Sequence, residues 1–398
     1  MKTAAIICEY NPFHNGHLYQ IDRIKSDLSV DAVICIMSGD FTQRGEPAVF
    51  DRHTRAGFAL ENGADLVISL PVFASLGAAD LFSYTGVSLL NRLNTVDYLC
   101  FGAECDDLSL LTDIAKETGL SVLLRSDEFR SLIKEGKTFA RARAVMFPEY
   151  SEILDKPNNI LAIGYLNALD TLKSSIKPYL IKRIGDDHNG KSVKPGKYSS
   201  ALSIRNSIKN NEICDLTDCI PPAEYETVKS LTPVFANDFS SLLKYKLLSC
   251  DDLSDYLDVN GDLSNRILNN VNGFKDMCSF AANIKSKNTT HSGIMRALFH
   301  ILLDIKGTSD QRKDVADSLN ALRLLGFKRS ASELMDTLNE RSDIKLITNV
   351  ARSEKEFNKI TTDIFNEDKY ASDVYHTVLA EKSGNLPIND LSKPVVIV

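Results

Sequence analysis

The stretch Thr3–Gln20 reads TAAIICEYNPFHNGHLYQ and decides the fold. Its first segment, Thr3–Cys8, is apolar or β-branched, a pattern typical of a buried strand. A segment rich in turn-forming residues, including Asn11 and Gly16, follows directly. Helical periodicity begins at Leu18. A strand, a tight turn and a helix in immediate succession predict the first unit of a parallel α/β sheet.

The next hundred residues repeat this alternation. Further strands are predicted at residues 32–37, 66–70 and 96–101, with helices at 18–26 and 53–62. Strands separated by helices of this length predict βαβ units and a parallel sheet. Polar, glycine-containing segments follow the first two strands, at residues 11–16 and 38–45. These are the carboxyl ends of the strands, where open α/β sheets bind their ligands.

The character of the chain changes near residue 210. Before this point, the pattern predicts helices at 106–135, 157–172 and 199–208 and a last strand at 179–184. After it, we predict Leu- and Asp-rich helices at 239–248, 264–271, 293–303 and 315–325. We therefore expect a Rossmann-like α/β domain with a parallel sheet over residues 1–210, followed by a mainly α-helical domain over residues 211–398.

Composition narrows the class of protein. With 398 residues and 43% hydrophobic content, the chain can build two or three buried cores. Its first residues lack the basic start and long apolar stretch of a signal peptide, and no run of about 18 apolar residues predicts a membrane span. The 8 cysteines have no C-x-x-C spacing, so we interpret them as reduced thiols of a cytoplasmic protein. In particular, Cys8 ends a buried strand, which favours a packed thiol over a nucleophile.

The charge distribution predicts a local polyanion site. A net charge of -7 argues against indiscriminate nucleic-acid binding, and DNA is not an expected partner. Basic residues nevertheless concentrate between residues 182 and 209, where a solvated loop would have the same composition. The residues of this strip are Lys182, Arg183, Lys191, Lys194, Lys197, Arg205 and Lys209.

The turn His14–His17 is the first candidate site. Directly after a strand, a helix N-terminus points backbone N–H groups and the positive end of its dipole at one spot, which suits a phosphate. Gly16 permits close approach of the backbone, and the rings of His14 and His17 can both donate to the same anion. Such a site stabilises charge on an α-phosphate and on departing pyrophosphate. Two histidines elsewhere in a chain would more often be surface or capping residues.

Two further segments follow predicted strands or open a helix. The sequence Ser199–Arg205 places Ser200 and Ser203 at a helix start, where hydroxyls and free N–H groups bind an anion and Arg205 adds a charge-assisted pair. Taken alone, this pattern is equally an ordinary helix cap. The loop at residues 37–48 is polar, and its Arg44 could hold a carboxylate or a phosphate, or form a structural salt bridge.

Together these stretches resemble the bacterial tRNA(Met) cytidine acetate ligase family of the H-x-G-H nucleotidyltransferase superfamily. The resemblance is dense in the first half and loose in the second. The matching segments are residues 8–17, 37–48, 62–67, 101–104, 141–144, 157–161 and 181–185, with weaker matches at 325–327 and 372–376. It implies that acetate and ATP form acetyladenylate and pyrophosphate. The wobble cytidine of elongator tRNA(Met) then takes the acetyl group, giving 4-N-acetylcytidine and AMP.

The resemblance also implies an ATP site and the residues that form it. Magnesium is expected on the pyrophosphate, held by phosphates and water rather than by a carboxylate cage. His14, His17, Arg44 and Arg205 are the expected catalytic residues. The expected ATP-binding residues are Ile7, Cys8, Glu9, Tyr10, Asn11, Pro12, Phe13, His14, Asn15, Gly16, His17, Leu18, Tyr19, Gln20, Gly102, Asn158 (preferred over its neighbour Asn159), Asn159, Arg183, Ser200 and Ser203.

The chain departs from the family pattern at two places. Position 40 is more often Asn in the family, whereas here it is Asp. A carboxylate near an acetate pocket would repel the substrate unless Asp40 were protonated or paired with Arg44. Residues 186–189 read DDHN in place of an aromatic residue and a His-Asp ending.

Two other functions remain open on sequence grounds. An adenylyltransferase acting on a small phosphate-bearing metabolite shares the H-x-G-H turn, but such enzymes are commonly much shorter. A non-catalytic, nucleotide-dependent RNA-binding protein would not need His14, His17 and Arg205 together. Candidate tRNA contacts in the second half are Lys285, Lys287, Arg296, Lys328 and Arg329. We interpret His53, His291, His300 and His376 as structural or surface histidines.

Overall fold

The computed structural model of the chain describes residues 1–119, 123, 126–135, 137, 139–183, 198–287 and 289–398. Three lysines of the predicted basic strip, Lys191, Lys194 and Lys197, lie outside these ranges, as does the departing segment 186–189. The predicted ATP-binding and catalytic residues all fall within them.

The first half of the chain alternates strands with helices, as predicted. Its strands are β1 (Thr3–Cys8), β2 (Ala32–Ser38), β3 (Phe41–Thr42), β4 (Glu46–Pro47), β5 (Leu66–Leu70), β6 (Tyr98–Ala103) and β7 (Lys177–Lys182). Its helices are α1 (Asn15–Leu28), α2 (Arg52–Glu61), α3 (Val72–Ser75), α4 (Ala79–Arg92), α5 (Leu108–Glu117), α6 (Asp127–Lys134), α7 (Phe139–Met146), α8 (Ser151–Leu154), α9 (Pro157–Thr171) and α10 (Ala201–Lys209).

The second half is mainly helical and contributes short strands. Its helices are α11 (Pro222–Ser230), α12 (Ser240–Leu248), α13 (Gly261–Asn270), α14 (Met277–Asn283), α15 (His291–Leu302), α16 (Ser309–Ser318), α17 (Ser332–Arg341), α18 (Val350–Ser353) and α19 (Lys359–Ser383). Its strands are β8 (Ala321–Phe327), β9 (Lys345–Ile347) and β10 (Val396–Ile397).

One sheet organises the described residues. Its strand order is β10-β8-β5-β2-β1-β6-β7, with β9 paired to β8. The strands from β5 to β7 along this order are parallel, so β1, β2, β6 and β7 end at the same edge. This is the edge at which an open α/β sheet binds ligands. The α/β class with a mostly parallel sheet is therefore confirmed.

The prediction of a helix over residues 315–325 was wrong in its second part. Helix α16 ends at Ser318, and Ala321–Phe327 forms β8, which pairs antiparallel with β5. Both faces of this strand are covered, so its sequence ALRLLGF lacks the alternation that marks a half-exposed strand. A short apolar run of this kind cannot be told from a buried helix by periodicity alone. The second half thus completes the sheet of the first.

The central strand is covered on both faces, which explains its continuous apolar sequence. Ala5 and Ile7 pack into one core cluster, whereas Ala4 and Ile6 pack into the other. Successive side chains of a strand point to opposite faces. Burial of both faces fixes β1 in the middle of the sheet, so that the turn that follows it is held in place.

The end of the chain packs against the loop after β2. The hydroxyl of Tyr375, on α19, donates to the carbonyl of Ala48 at 2.9 Å. The buried carboxylate of Asp390 pairs with Arg52 at 2.5 Å and also with Arg323. The helical half therefore supports the loop that contains Arg44. Among the described residues, no helix has both the length and the apolar character needed to cross a bilayer.

Candidate active site

The turn between β1 and α1 is closed by His14 itself. Its backbone is extended, and its Nδ1 accepts a hydrogen bond from the backbone N–H of Gly16 at 3.0 Å. A Cβ on residue 16 would lie 2.8 Å from Cε1 of His14, so only glycine fits beneath this ring. Because Nδ1 accepts, the neutral ring carries its proton on Nε2. His14 can therefore donate one N–H to a ligand.

His17 lies in the first turn of α1 and stacks on His14. The ring centroids are 3.7 Å apart and the planes are inclined by 22°. Tyr10 and Phe13 enclose His17 from the other side, with centroids at 4.7 and 5.5 Å. Its Nδ1 is buried and has no hydrogen-bond partner among the described residues. A buried polar atom without a partner at a helix N-terminus suits an anionic ligand.

Both histidines are neutral at physiological pH. Burial, followed by the charges of Arg183 and Arg205, lowers the pKa of His14 to about 3. Burial, His14 and Arg183 hold the pKa of His17 well below its usual value. The two rings therefore act as dipolar hydrogen-bonding groups, and the positive charge of the site comes from arginines and from the helix end.

A cleft opens beside the two histidines and brings together residues from four segments. The predicted residues His14, Gly16, His17, Tyr19, Gln20, Gly102, Arg183 and Ser200 line it. Sequence reasoning did not name the other lining residues as binding residues. These are Ile181, Lys182, Tyr198 and Ser199. Lys182 had a signal, its place in the basic strip. Ile181 and Ser199 lie within segments that the sequence analysis singled out, whereas Tyr198 had no signal.

Gly102 and Arg183 meet on neighbouring strands. Gly102 pairs with Ile181 in the β6–β7 ladder, two residues before Arg183. A Cβ on residue 102 would lie 3.2 Å from Cγ of Arg183, so the glycine leaves room for the arginine stem. Burial lowers the pKa of Arg183, and the charge of Glu104 opposes this effect. The guanidinium remains charged at the wall of the cleft.

Part of the predicted ATP-binding segment is structural. Cys8, Tyr10 and Phe13 are buried in a core cluster, together with part of Leu18. Burial raises the pKa of the Cys8 thiol, which fits a packed residue and not a nucleophile. The Asn11–Pro12 bond is cis. In this segment, a ligand would contact the backbone and the polar side chains further along the turn.

The two asparagines of the turn also bind protein groups. The side chain of Asn11 accepts from the backbone N–H of Val49 at 2.8 Å. The backbone and side-chain N–H groups of Asn15 donate to the carbonyls of Cys219 and Asp218. These contacts connect the turn to the loop after β2 and to the segment after α10.

The serine motif forms an inward-facing helix cap. The hydroxyl of Ser200 accepts from the backbone N–H of Ser203 at 3.2 Å, and the hydroxyl of Ser203 donates to the carbonyl of Ser200 at 2.8 Å. Ser200 lines the cleft, whereas Ser203 does not. The ordinary capping role is therefore present, and the start of α10 faces the histidines.

Neither Arg205 nor Arg44 lines the cleft. Arg205 donates to the carbonyl of Asn11 at 2.8 Å and pairs with Glu46 at 3.3 Å. Arg44 is at the tip of the β3–β4 hairpin, and its charge acts on Arg183 and on Glu9. Burial raises the pKa of Glu9, and a hydrogen bond from the Gln43 backbone and the two arginines oppose it. The three arginines and His14 and His17 therefore share one electrostatic environment.

Asp40 is paired with Arg52, whereas the sequence analysis had considered protonation or pairing with Arg44. It accepts from the backbone N–H of Arg52 at 2.9 Å, and its carboxylate lies 3.7 Å from the Arg52 guanidinium. Burial raises the pKa of Asp40, but Arg52 and His376 reverse this effect, and the carboxyl is ionised. Its charge is thus balanced by a residue on α2. Spacing along the chain favours the nearer Arg44, so Arg52 could not be predicted as the partner.

Sequence reasoning also missed the fully buried Arg55. It donates to the carbonyls of Phe50 at 2.9 Å, Glu9 at 2.5 Å and Ser38 at 3.0 Å, and to that of Gly39. Glu9 directly follows β1, and Ser38 and Gly39 lie at the end of β2, so one guanidinium ties together the ends of both strands. A lone arginine in an amphipathic helix carries no sequence signal for this role.

Asn158 and Asn159 lie in the first turn of α9 and both contact Glu104. The side-chain N–H of Asn158 and the backbone N–H of Asn159 donate to the two carboxylate oxygens at 2.6 and 2.9 Å. In return, the Asn159 side chain accepts from the backbone N–H groups of Glu104 and Cys105. Asn159 is buried, and Asn158 is half-buried. Neither asparagine lines the cleft.

Several other charged or titratable residues named in the sequence analysis form ion pairs or hydrogen bonds away from the cleft. Arg296 pairs with Asp258 at 3.3 Å and donates to the carbonyl of Gln43, which supports the hairpin. Lys328 lies 4.0 Å from Asp65. His300 and His376 are buried and contact backbone carbonyls, as expected for structural histidines.

Comparison with known proteins adds independent information. The sequence pattern of the family described as HIGH nucleotidyl transferase matches residues 1–386. The tRNA(Met) cytidine acetate ligase of Thermoanaerobacter sp. strain X514 is 35% identical, over 100% of both chains. The crystal structure of apo Thermotoga maritima TmcAL matches with a TM-score of 0.90 and 26% identity over 100% of both chains. The structure of the same protein with bound alpha-thio ATP matches with a TM-score of 0.88 and 25% identity, again over 100% of both chains.

Proposed function

The chain belongs to the tRNA(Met) cytidine acetate ligases within the HIGH nucleotidyl transferase family, and we propose that it joins acetate to the wobble cytidine of elongator tRNA(Met) at the expense of ATP. The observation that carries the proposal is the stacked His14–His17 pair at the start of α1, with Arg183 beside it. The solved relative with bound alpha-thio ATP supports ATP as the nucleotide.

In the first step, an oxygen of acetate attacks the α-phosphorus of ATP, and the bond to the β-phosphate breaks. The products are acetyladenylate and pyrophosphate. Neutral histidines suit this step because they donate to phosphate oxygens as charge develops, without adding a further buried cation. The N–H on Nε2 of His14 and the ring of His17 would contact the α-phosphate. The charges of Arg183, Arg205 and Arg44 would stabilise departing pyrophosphate.

In the second step, the exocyclic amine of cytidine attacks the acetyl carbonyl carbon. The bond between that carbon and the AMP oxygen breaks, AMP leaves, and the amine loses a proton. The product is 4-N-acetylcytidine. The protein mainly holds the two reactants in line, a contribution that can supply several kcal/mol, roughly 7–11 in the most favourable cases.

Magnesium and acetate complete the proposed set of reactants. No group of three His, Cys, Asp or Glu side chains within the described ranges could hold a metal ion. We therefore propose that magnesium is bound by the phosphates and water, where it neutralises charge on pyrophosphate. Arg44, at the tip of the β3–β4 hairpin, is the proposed partner of the acetate carboxylate, because a guanidinium matches the geometry of a carboxylate. The proposed place of action is the cytoplasm.

The division of labour between the halves of the chain is also a proposal. Residues 1–210 provide the nucleotide site, and residues 211–398 contribute to tRNA binding. Lys285, Lys287 and Arg329 remain candidates for contacts with phosphates of the tRNA backbone. Arg296 and Lys328 are less suited because each already lies beside a carboxylate.

Nucleoside analysis of the tRNA product tests this function. The purified protein is incubated with ATP, magnesium, acetate and tRNA from a strain that lacks the modification, and the digested nucleosides are measured by mass spectrometry. We expect 4-N-acetylcytidine only when ATP and acetate are both present, with stoichiometric AMP. A His17→Ala variant should form it about 10²–10³-fold more slowly. Wild-type protein that consumes ATP and yet leaves the cytidine unmodified would refute the proposal.

A further inference from the structure

The β3–β4 hairpin, which contains Arg44, is fixed at its base by the helical half of the chain. Phe41 is fully buried there against three aromatic rings. The ring centroids of Phe239, Phe299 and Tyr375 lie 5.6, 5.3 and 6.1 Å from that of Phe41. Residues of the second half thus set the position of a loop that follows β2 in the first half.

The tip of the same hairpin packs on the backbone of α15. A Cβ on Gly45 would meet the backbone nitrogen of Arg296 and would lie 2.7 Å from the carbonyl carbon of Met295. Gly45 also has a φ of +74°, so glycine permits both the turn and the close approach. A guanidinium N–H of Arg296 donates to the carbonyl of Gln43 at 3.3 Å. The tip is therefore held by one helix of the second half.

Arg296 binds protein groups and has little exposed surface. Its side chain is 13% exposed and pairs with Asp258 at 3.3 Å, in addition to its bond to Gln43. A basic side chain that binds tRNA phosphates extends its charged end into solvent. The guanidinium of Arg296 instead lies against the hairpin, which favours a role inside the protein.

Gln43 connects Arg296 to the strand that ends at the catalytic turn. Its carbonyl accepts from Arg296, whereas its backbone N–H donates to the carboxylate of Glu9 at 2.7 Å. Glu9 directly follows β1. One residue of the tip thus contacts α15 on one side and the end of the central strand on the other.

Two charged side chains of the hairpin interact with arginines of the site. Glu46 pairs with Arg205 at 3.3 Å, and Arg205 donates to the carbonyl of Asn11 at 2.8 Å. The charge of Arg44 acts on Arg183, which lines the cleft. A displacement of the tip would therefore alter the charges around the reacting groups without removing any residue of the cleft.

We propose that Arg296 is a positioning residue for adenylate formation, which holds the carbonyl of Gln43 and thereby keeps Arg44 in place for acetate. The inference rests on the proposed function and deepens it, because it gives the helical half a part in the first step. A direct contact between Arg296 and tRNA would instead affect only the second step.

Hydrogen exchange in the free protein measures how firmly the hairpin is held, without any reaction. Arg296→Met retains an apolar stem but removes the guanidinium donors. The backbone amides of residues 42–45 should then exchange at least about 10-fold faster, because the tip opens more often. Arg266→Met is the matched control, since Arg266, on α13, likewise binds one backbone carbonyl and one aspartate. Exchange of the hairpin in this control should equal that of the wild type.

Exchange of labelled pyrophosphate into ATP, with acetate and without tRNA, measures the effect on the first step. Arg296→Met should raise the KM for acetate at least about 10-fold, since a small misplacement of an orienting group can cost about 100-fold in rate. The KM for ATP should change by less than about 3-fold, because none of residues 41–47 lines the cleft. A loss of folded protein would lower kcat alone. Arg296→Lys should recover part of the effect, since its ammonium can still donate to a carbonyl.

A second variant disturbs the same contact independently. Gly45→Ala places a Cβ against the backbone of α15 and should also raise the KM for acetate. If both substitutions act by displacing the tip, their combined effect should be smaller than the sum of the two single effects on a free-energy scale.

Three results would overturn the proposal. They are unchanged hydrogen exchange of the hairpin in Arg296→Met, an unchanged KM for acetate in that variant, and weaker tRNA binding with a normal first step. Wild-type protein without acetate-dependent exchange into ATP would refute the proposed function itself. Hydrogen exchange needs neither acetate nor tRNA, so it would still show whether Arg296 holds the hairpin, and the two failures can be told apart.

Discussion

His14 and His17 stack as a pair of buried, neutral imidazole rings, with centroids 3.7 Å apart. Two protonated rings at this distance would repel each other in a region that already holds Arg183 and Arg205. The site therefore draws its positive charge and its hydrogen-bond donors from different groups. The arginines and the helix end supply charge, and the histidines supply hydrogen bonds whose strength grows with the charge on the reacting phosphate.

Replacing His17 by Ala should impair chemistry more than binding. Loss of one preorganised partner of the transition-state charge should lower kcat for pyrophosphate release by about 10²–10³-fold. The KM for ATP should change much less, because the arginines remain. His291→Ala is the matched control, since His291 is an exposed residue on α15. Wild-type turnover in His17→Ala would contradict the assignment of the phosphate site.

Replacing Gly16 by Ala should displace His14. The added Cβ would lie 2.8 Å from the His14 ring and disturb the cap at the start of α1. We expect a loss of about 1 kcal/mol in the free energy of unfolding, as for other lost helix caps, and a lower kcat. Gly261→Ala serves as the control, because a Cβ there meets no atom within 4 Å. Similar activity of the two variants would show that the cap is dispensable.

The free energy of unfolding should decrease as the pH is lowered below about 6.5, because His14 is buried in its neutral form. Above about pH 6.5, His14 is neutral in both folded and unfolded chains and contributes no pH dependence. Below it, the unfolded histidine binds a proton, whereas folded His14 stays neutral until its pKa of about 3. The free energy of unfolding therefore decreases as pH falls from 6.5 towards 3, by at most about 1.4 kcal/mol per pH unit from this residue.

Urea unfolding at pH 7.5, 6.5 and 5.5 measures this dependence. His14→Asn retains a capping side chain without the titrating ring. The decline between pH 6.5 and 5.5 should be shallower in this variant than in the wild type. Parallel curves would mean that His14 is protonated in the folded protein and that the neutral stacked pair is wrong.

The carboxylate of Asp390 should be a major source of stability. It is 0% exposed and pairs with Arg52 and Arg323, which Asp390→Asn would leave without their charged partner. Breaking a buried ion pair of this kind costs about 3–5 kcal/mol. Asp127→Asn is the control, since the Asp127 side chain is 99% exposed in its pair with Arg130. We expect a loss below about 1 kcal/mol there. Chemical denaturation of both variants compares the two values.

The sequence predicted the parts of the fold that depend on local order. The run Thr3–Cys8, the turn with Gly16 and the helix after it are contiguous, so their composition and periodicity specify a strand, a turn and a helix. The strand Ala321–Phe327 could not be predicted in the same way. Its partner Leu66–Leu70 is far away in sequence, and an apolar run in the helical half fits a buried helix equally well.

In the candidate site, too, contacts between segments that are distant in sequence could not be predicted. His14, His17, Gly102 and Arg183 were predicted, and the structure brings them to one cleft. Arg55, by contrast, supports the site through hydrogen bonds to backbone carbonyls. Such contacts cannot be predicted from residue types in the sequence. The pairing of Asp40 with Arg52 instead of Arg44 likewise depends on how α2 packs. Partner choice among charged residues is a property of the tertiary structure.

Acetate-dependent exchange of labelled pyrophosphate into ATP, in the absence of tRNA, tests the central claim most directly. Reversible formation of acetyladenylate at the His14–His17 turn predicts exchange that requires acetate and is about 10²–10³-fold slower in His17→Ala. Exchange that does not require acetate, or that requires a phosphate-bearing metabolite in its place, would contradict the ligase and favour an adenylyltransferase.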